Sequence, residues 1–147
     1  MQRTAQAHWH GDLKSGAGNL TTATKTLSQT PYSFVSRFEQ GQGTNPEELL
    51  AAAHAGCFTM AVSAQLTTAG HPPESLDTTC TITLERKDGG FAITESHLEM
   101  KAKVPGITPD AFQKVVDEAK TGCPVSKLFR TNITLNAQLD TQRAGAA

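Results

Sequence analysis

Apolar and polar positions follow two rhythms along this 147-residue chain. One has the period of two expected of half-buried strands, the other the three-to-four spacing of an amphipathic helix. The first third is rich in Thr, Ser, Gly and Asn with scattered aromatics. It predicts short strands over about residues 5–10, 18–24 and 32–38, punctuated by Gly11, Gly16 and Pro31. The rhythm then changes in "GTNPEELLAAAHAGCFTMAVSAQLTTAG". Thr44 or Asn45 can cap a helix there, and Pro46 suits its first turn, where the missing N–H costs nothing. Glu47 and Glu48 complement the positive end of its dipole, and Gly70 can end it. Leu50, Ala53, Cys57, Met60, Ala61 and Ala64 recur at helical spacing and predict its apolar face.

Downstream, "LDTTCTITLERKDGGFAITESHLEMKAKV" predicts a hairpin turned by Asp88-Gly89-Gly90. Leu76, Cys80, Ile82 and Leu84 alternate on the outgoing strand. On the return strand the apolar phase is odd at Phe91 and Ile93 and even at Leu98, Met100 and Val104, so a bulge or bend is expected near residues 95–97. A second helix is expected over 109–120, with Phe112, Val115, Val116 and Ala119 inward. Gly122 ends it, Cys123-Pro124 opens a short helix, and "NITLNAQLD" is a last strand. The expected fold is α+β, with mainly antiparallel sheet packed on a buried central helix. It forms one domain over 1–147, with a frayed tail at about 141–147.

Composition narrows the function. The net charge is −1 without any polybasic block, which gives nucleic-acid or membrane-surface binding no electrostatic support. No apolar run approaches the ~20 residues of a membrane span, and no apolar stretch marks a secretory signal, so a cytoplasmic protein with no membrane partner is expected. Three cysteines are too few for a disulfide scaffold and odd in number.

In a reducing compartment, functional cysteines are catalytic or metal-binding more often than structural. Cys57, among small residues on a helix, reads as a core hydrophobe or as a nucleophile that a substrate can approach. Cys123, between Gly122 and Pro124, is a plain cap or a thiol at the anion-stabilising end of a helix. Cys80 is in phase with the core of its strand and reads as inert. No Cys-x-x-Cys or spaced His pair supports zinc, and His8 with His10 makes at most a weak metal pair. No Gly-x-Ser-x-Gly elbow or phosphate-binding glycine loop occurs, so neither a metal nor an organic cofactor is expected.

The segments "GTNPEELLAAAHAGCFTMAVS" and "GCPVSKLF" together resemble the osmotically inducible protein C / organic hydroperoxide resistance protein family. "AHWHGDLKSGAGNL", "PYSFVSRFE", "LDTTCTITLER" and "GFAIT" are similar to its osmotically inducible branch, so the resemblance spans nearly the whole chain. It implies a stress-response peroxidase for organic hydroperoxides. Its attacking cysteine falls on Cys57, its resolving cysteine on Cys123, its active-site arginine on Arg37 and its acidic partner on Glu47, with Glu48 adjacent. It also implies a Cys57–Cys123 disulfide intermediate, a dithiol reductant such as a lipoyl group, and an intertwined homodimer. Glu47 and Cys57 on one helix would lie roughly 15 Å apart along its axis, which favours Arg37 and Glu47 reaching a partner's Cys57. Phe34, Phe38, Phe58, Met60 and Phe129 are candidate liners of an apolar approach. A peroxide-responsive sensor or binding protein using the same cysteines without turnover is the alternative, and a structural stress protein with core cysteines a third.

Overall fold

The computed structural model describes residues 1–141, so most of the expected frayed tail lies outside the described residues. The chain forms two compact units, Met1–Leu49 and Leu50–Ala147.

In the first unit, β1 (Ala5–His10), β2 (Ala17–Thr22) and β3 (Thr30–Tyr32) form an antiparallel sheet in that order. Gly18 is needed where β2 passes its neighbours, because a Cβ there would stand 2.4 Å from the His8 carbonyl oxygen. The expected strand over 32–38 is corrected. It becomes the short β3 followed by a helical turn, α1 (Phe34–Phe38). Local polar chemistry overrides the aromatic, strand-like composition. Ser33 accepts from the Ser36 N–H at 3.2 Å, and the Ser36 hydroxyl accepts from the Ser33 N–H at 2.8 Å, a reciprocal cap.

The long helix α2 (Pro46–Thr68) starts in this unit and continues into the next. Asn45 caps it by accepting from the Glu48 N–H at 2.8 Å. Gly70, at φ 86°, ends it in a Schellman arrangement, with His71 N–H on Leu66 O at 2.8 Å and Gly70 N–H on Thr67 O at 3.1 Å.

In the second unit, β4 (Ser75–Lys87) and β5 (Gly90–Lys103) pair antiparallel around a tight turn. Asp88 and Gly89 both take positive φ there, 52° and 80°, as a twist-matched hairpin turn requires. The bulge lies one residue before the expected stretch. Thr83 pairs Glu95 while Leu84 pairs Ile93, which leaves Thr94 as the extra residue and switches the apolar phase. β6 (Asn132–Leu139) pairs parallel to β5, so this sheet is mixed, while the other strand pairings are antiparallel as expected. Parallel pairing needs a crossover. It is supplied by α3 (Pro109–Gly122) and α4 (Pro124–Leu128).

The core of this unit joins Phe58, Val62 and Leu66 of α2 with Leu98, Met100 and Ala102 of β5 and Phe112, Val116 and Ala119 of α3. The buried face of α2 is thus His54, Phe58, Val62 and Leu66, about one residue around from the expected face. Volume decides this, since large side chains fill a core better than the Ala positions of the other face. Ala53 and Ala64 are exposed and Met60 is 76% exposed. The helix is also long and apolar enough by composition to cross a membrane, with mean hydropathy 1.4 over its best window, which corrects the expectation of no such run. Its large residues are spent on this protein core instead, as is common for a central helix.

Candidate active site

Arg37 is in the last turn of α1 and Glu47 in the first turn of α2. Two links hold those turns together: Asn45 Nδ2 donates to Ser36 O at 2.9 Å, and Ser36 Oγ to Thr44 O at 2.8 Å. The Arg37 guanidinium grips the Glu47 carboxylate through Nη2 at 2.8 Å and Nε at 3.2 and 3.3 Å. Glu48 instead accepts from the Thr44 hydroxyl at 2.7 Å, so the pairing is with Glu47. Glu47 is nearly buried while the Arg37 side chain keeps 39% of its surface exposed, which leaves donors of the fork open to a ligand. The guanidinium lies 5.1 Å from the Phe38 ring centroid. Beside it is a cavity of about 290 Å³ lined by Trp9, Leu13, Tyr32, Phe34, Arg37 and Phe38. The expected liners Phe34 and Phe38 thus border a cavity beside Arg37.

The cysteines are in the second unit, all as free thiols. Cys57 is on α2, half-buried, and packs against the core cluster that contains Cys123, near the Val125 N–H of α4. Burial raises the Cys57 pKa above its ordinary value, the Val125 hydrogen bond pulls the other way, and the neighbouring Cys123 adds to the rise. Cys123 ends α3 and caps α4, and is 1% exposed. Its Sγ donates to Ser126 Oγ at 3.1 Å and accepts from the Ser126 N–H at 3.4 Å. The Gly-Cys-Pro sequence explains the position: Gly122 closes one helix and Pro124 can only begin another.

Of the remaining expected liners, Phe58 is wholly core and Met60 projects outward. Phe129 packs edge-on against His54, with ring centroids 4.9 Å apart, and lines a separate cavity of about 340 Å³ with Leu50, Ile93 and Leu128.

His54 was missed in the sequence. It is fully buried beneath the cysteines, with Nδ1 2.6 Å from Ser96 Oγ and Nε2 2.7 Å from Ser126 Oγ. Its spacing of four from Phe58, and theirs from Val62 and Leu66, was the available signal. Burial lowers its pKa, favouring neutral imidazole. Cys80, read as inert, meets Ser96 Oγ at 3.3 Å and His54 Nδ1 at 3.9 Å, and burial raises its pKa. His8 and His10 stack at 6.1 Å on an exposed strand, and no cluster of three or more metal-ligating side chains occurs among the described residues.

A protein-family model described as OsmC-like protein matches residues 39–138, which include Glu47, Cys57 and Cys123 and begin just after Arg37. Peroxiredoxin OsmC of Escherichia coli (strain K12) is 48% identical over 139 residues, covering 95% of this chain and 97% of that protein. The organic hydroperoxide resistance protein of Xanthomonas axonopodis pv. citri (strain 306) is 36% identical over 102 residues, 67% of this chain and 68% of its own. Among solved structures, the organic hydroperoxide resistance protein OhrB of Bacillus subtilis is similar in fold, with a TM-score of 0.66 at 24% identity over 93% of this chain and 98% of that one.

Proposed function

This chain belongs to the OsmC-like family, and from that premise we propose that it is a cysteine-based peroxidase reducing organic hydroperoxides to alcohols in cytoplasmic stress defence. The observation that carries the proposal is the half-buried Cys57 packed against the core cluster that contains Cys123, the neighbouring thiol that helps raise its pKa. A nucleophile and its resolving partner must be neighbours to form a disulfide without large backbone movement.

Cys57, as thiolate, attacks the distal peroxide oxygen. The O–O bond breaks, the alkoxide leaves as alcohol, and Cys57 becomes a sulfenic acid. Cys123 attacks that sulfur and water departs. An external dithiol, for which a lipoyl group is chemically suited, reopens the Cys57–Cys123 disulfide by exchange.

Since burial raises the Cys57 pKa, the thiolate needs a cation at the moment of reaction. Arg37, oriented by Glu47, is that cation in our reading, and its free donors hold the peroxide oxygens. The cavity beside it has the right character, with apolar and aromatic walls for an alkyl body and one guanidinium for the oxygens.

Ten helical residues between Glu47 and Cys57 rise about 15 Å, which argues that a second copy supplies Arg37 and Glu47 to each Cys57. The outward face of α2, with exposed Ala52, Ala53, Gly56, Met60 and Ala64, suits burial in such a homodimer. Both units then serve one OsmC-like domain over 1–147.

The test is peroxide consumption with dihydrolipoamide, comparing cumene hydroperoxide with hydrogen peroxide for wild type, Cys57→Ser and Cys123→Ser. Faster turnover of the organic peroxide and a dead Cys57→Ser are expected. A single reaction that stops despite excess dithiol would replace the enzyme with a peroxide sensor. An unaffected Cys57→Ser would leave only a structural role for the cysteines.

A further inference from the structure

Resting on the peroxidase reading above, we propose that the buried Ser126 and His54 form a proton relay for the resolving half-reaction, taking the thiol proton of Cys123 as it attacks the Cys57 sulfenic acid. Ser126 touches the reacting sulfur and is the catalytic member. His54 acts through Ser126 and is a positioning residue.

The geometry gives the chain of groups one consistent direction. Cys123 Sγ donates to Ser126 Oγ at 3.1 Å. The Ser126 hydroxyl then has its proton free for His54 Nε2, 2.7 Å away. A neutral imidazole that accepts at Nε2 must carry its proton at Nδ1, where Ser96 Oγ accepts at 2.6 Å. The Ser96 hydroxyl in turn can donate to Cys80 Sγ at 3.3 Å. His54 and Ser96 have no exposed surface and Ser126 only 6%, so water does not substitute for these contacts.

Each polar contact on the imidazole comes from a neutral group: Ser96 on β5, Ser126 on α4 and Cys80 on β4, with the Phe129 ring against its face. The titratable neighbours are therefore Cys80 directly and Cys123 through Ser126. A structural histidine would need only to be held. This one connects to the thiol that must lose a proton.

The step balances. A Cys123 Sγ–Cys57 Sγ bond forms and the Cys57 S–O bond breaks. Cys123 sulfur is oxidised and the sulfenic sulfur reduced. The thiol proton passes through the Ser126 hydroxyl to His54 Nε2 while hydroxide leaves. It returns along the same hydroxyl to make that hydroxide water. Thiol and sulfenic acid thus become disulfide and one water. The low basicity that burial gives His54 keeps the imidazolium short-lived.

The test is single turnover of the reduced full-length protein with cumene hydroperoxide, quenched and read by mass spectrometry. It follows sulfenic acid and disulfide separately in wild type, Ser126→Ala, Ser126→Thr and His54→Gln. Sulfenic acid should form near the wild-type rate in all four. Disulfide formation should slow roughly a hundredfold in Ser126→Ala and His54→Gln, within the range general-base assistance contributes, and recover in Ser126→Thr. In the slow variants its rate should rise more steeply with pH than in wild type, since an external base must then take the thiol proton. Wild-type rates and pH dependence in both slow variants would overturn the relay and leave the peroxidase reading intact. So would equal slowing of both half-reactions without recovery in Ser126→Thr. Absence of any sulfenic acid in wild type would remove the relay together with the peroxidase reading.

Discussion

Two residues test the site most directly. Arg37 meets Glu47 through two of its nitrogens, and a lysine would keep the charge but lose the fork. Arg37→Lys is therefore expected to lower kcat/KM for cumene hydroperoxide roughly 10- to 100-fold, measured at steady state, less than the about 100- to 1,000-fold cost of removing an oriented donor outright because the charge remains. His54 makes a prediction about stability. Its ordinary pKa of 6.5 applies to the unfolded chain, and burial lowers it in the fold. Between the two values the unfolded chain binds more protons, so this contribution is full above about 6.5 and is lost as pH falls through the window below it. His54→Gln should flatten that acid slope, read as urea midpoints between about pH 5 and pH 8. It should also be less stable overall, since two buried hydroxyls lose their partner. At this scale the cap position of Cys123 was legible because Gly-Cys-Pro has a local signature, whereas the roles of Cys57 and Cys123 came only with the family resemblance. His54 was not, because its partners Ser96 and Ser126 are 42 and 72 residues away.

At the scale of elements, period and punctuation carried the sequence a long way. The long helix between Asn45 and Gly70, the Asp88-Gly89 turn and the phase change at Thr94 all follow from local rules that the structure obeys. What failed did so where a choice was non-local or chemically local in another way. The parallel pairing of β6 depends on how α3 and α4 cross over, which alternation within β6 does not encode. The α1 turn depends on two serine side chains, not on hydrophobic period. The buried face of α2 was displaced because Ala and Cys counted equally with Phe and Leu, whereas packing weights them by volume. That correction yields a stability contrast. Phe58→Ala should cost about 3–5 kcal/mol as a core truncation, whereas Met60→Ala, two residues on and on the exposed face, should cost under about 0.5 kcal/mol in a monomer. Denaturant unfolding compares the two. If Met60→Ala matches the loss of Phe58→Ala, that outer face is covered in solution.

At the scale of the molecule, the Arg37–Glu47 pair belongs to one compact unit and the Cys57–Cys123 pair to the other. Because the two units carry these pairs separately, which copy supplies each to a site is open to test. Arg37→Ala and Cys57→Ser should each abolish organic peroxide turnover alone. If each site draws Arg37 from one copy and Cys57 from the other, a mixed dimer holds one site with both mutations and one with neither. Random exchange between equal amounts makes half the dimers mixed, each with one working site of two, so activity should recover to about a quarter of wild type. If both groups act within their own chain, every site in the mixture carries one lesion and none recovers. Subunit exchange has to be shown in the same sample, for example by native mass spectrometry of a tagged and an untagged variant. Met60→Asp offers a control from the opposite direction. A carboxylate on the exposed apolar face of α2 should oppose its burial against a second copy. Such a protein should sediment as a smaller species and lose turnover even though its own Arg37, Glu47, Cys57 and Cys123 are unchanged. Retained turnover in a demonstrated monomer would place the cation and the nucleophile within a single chain.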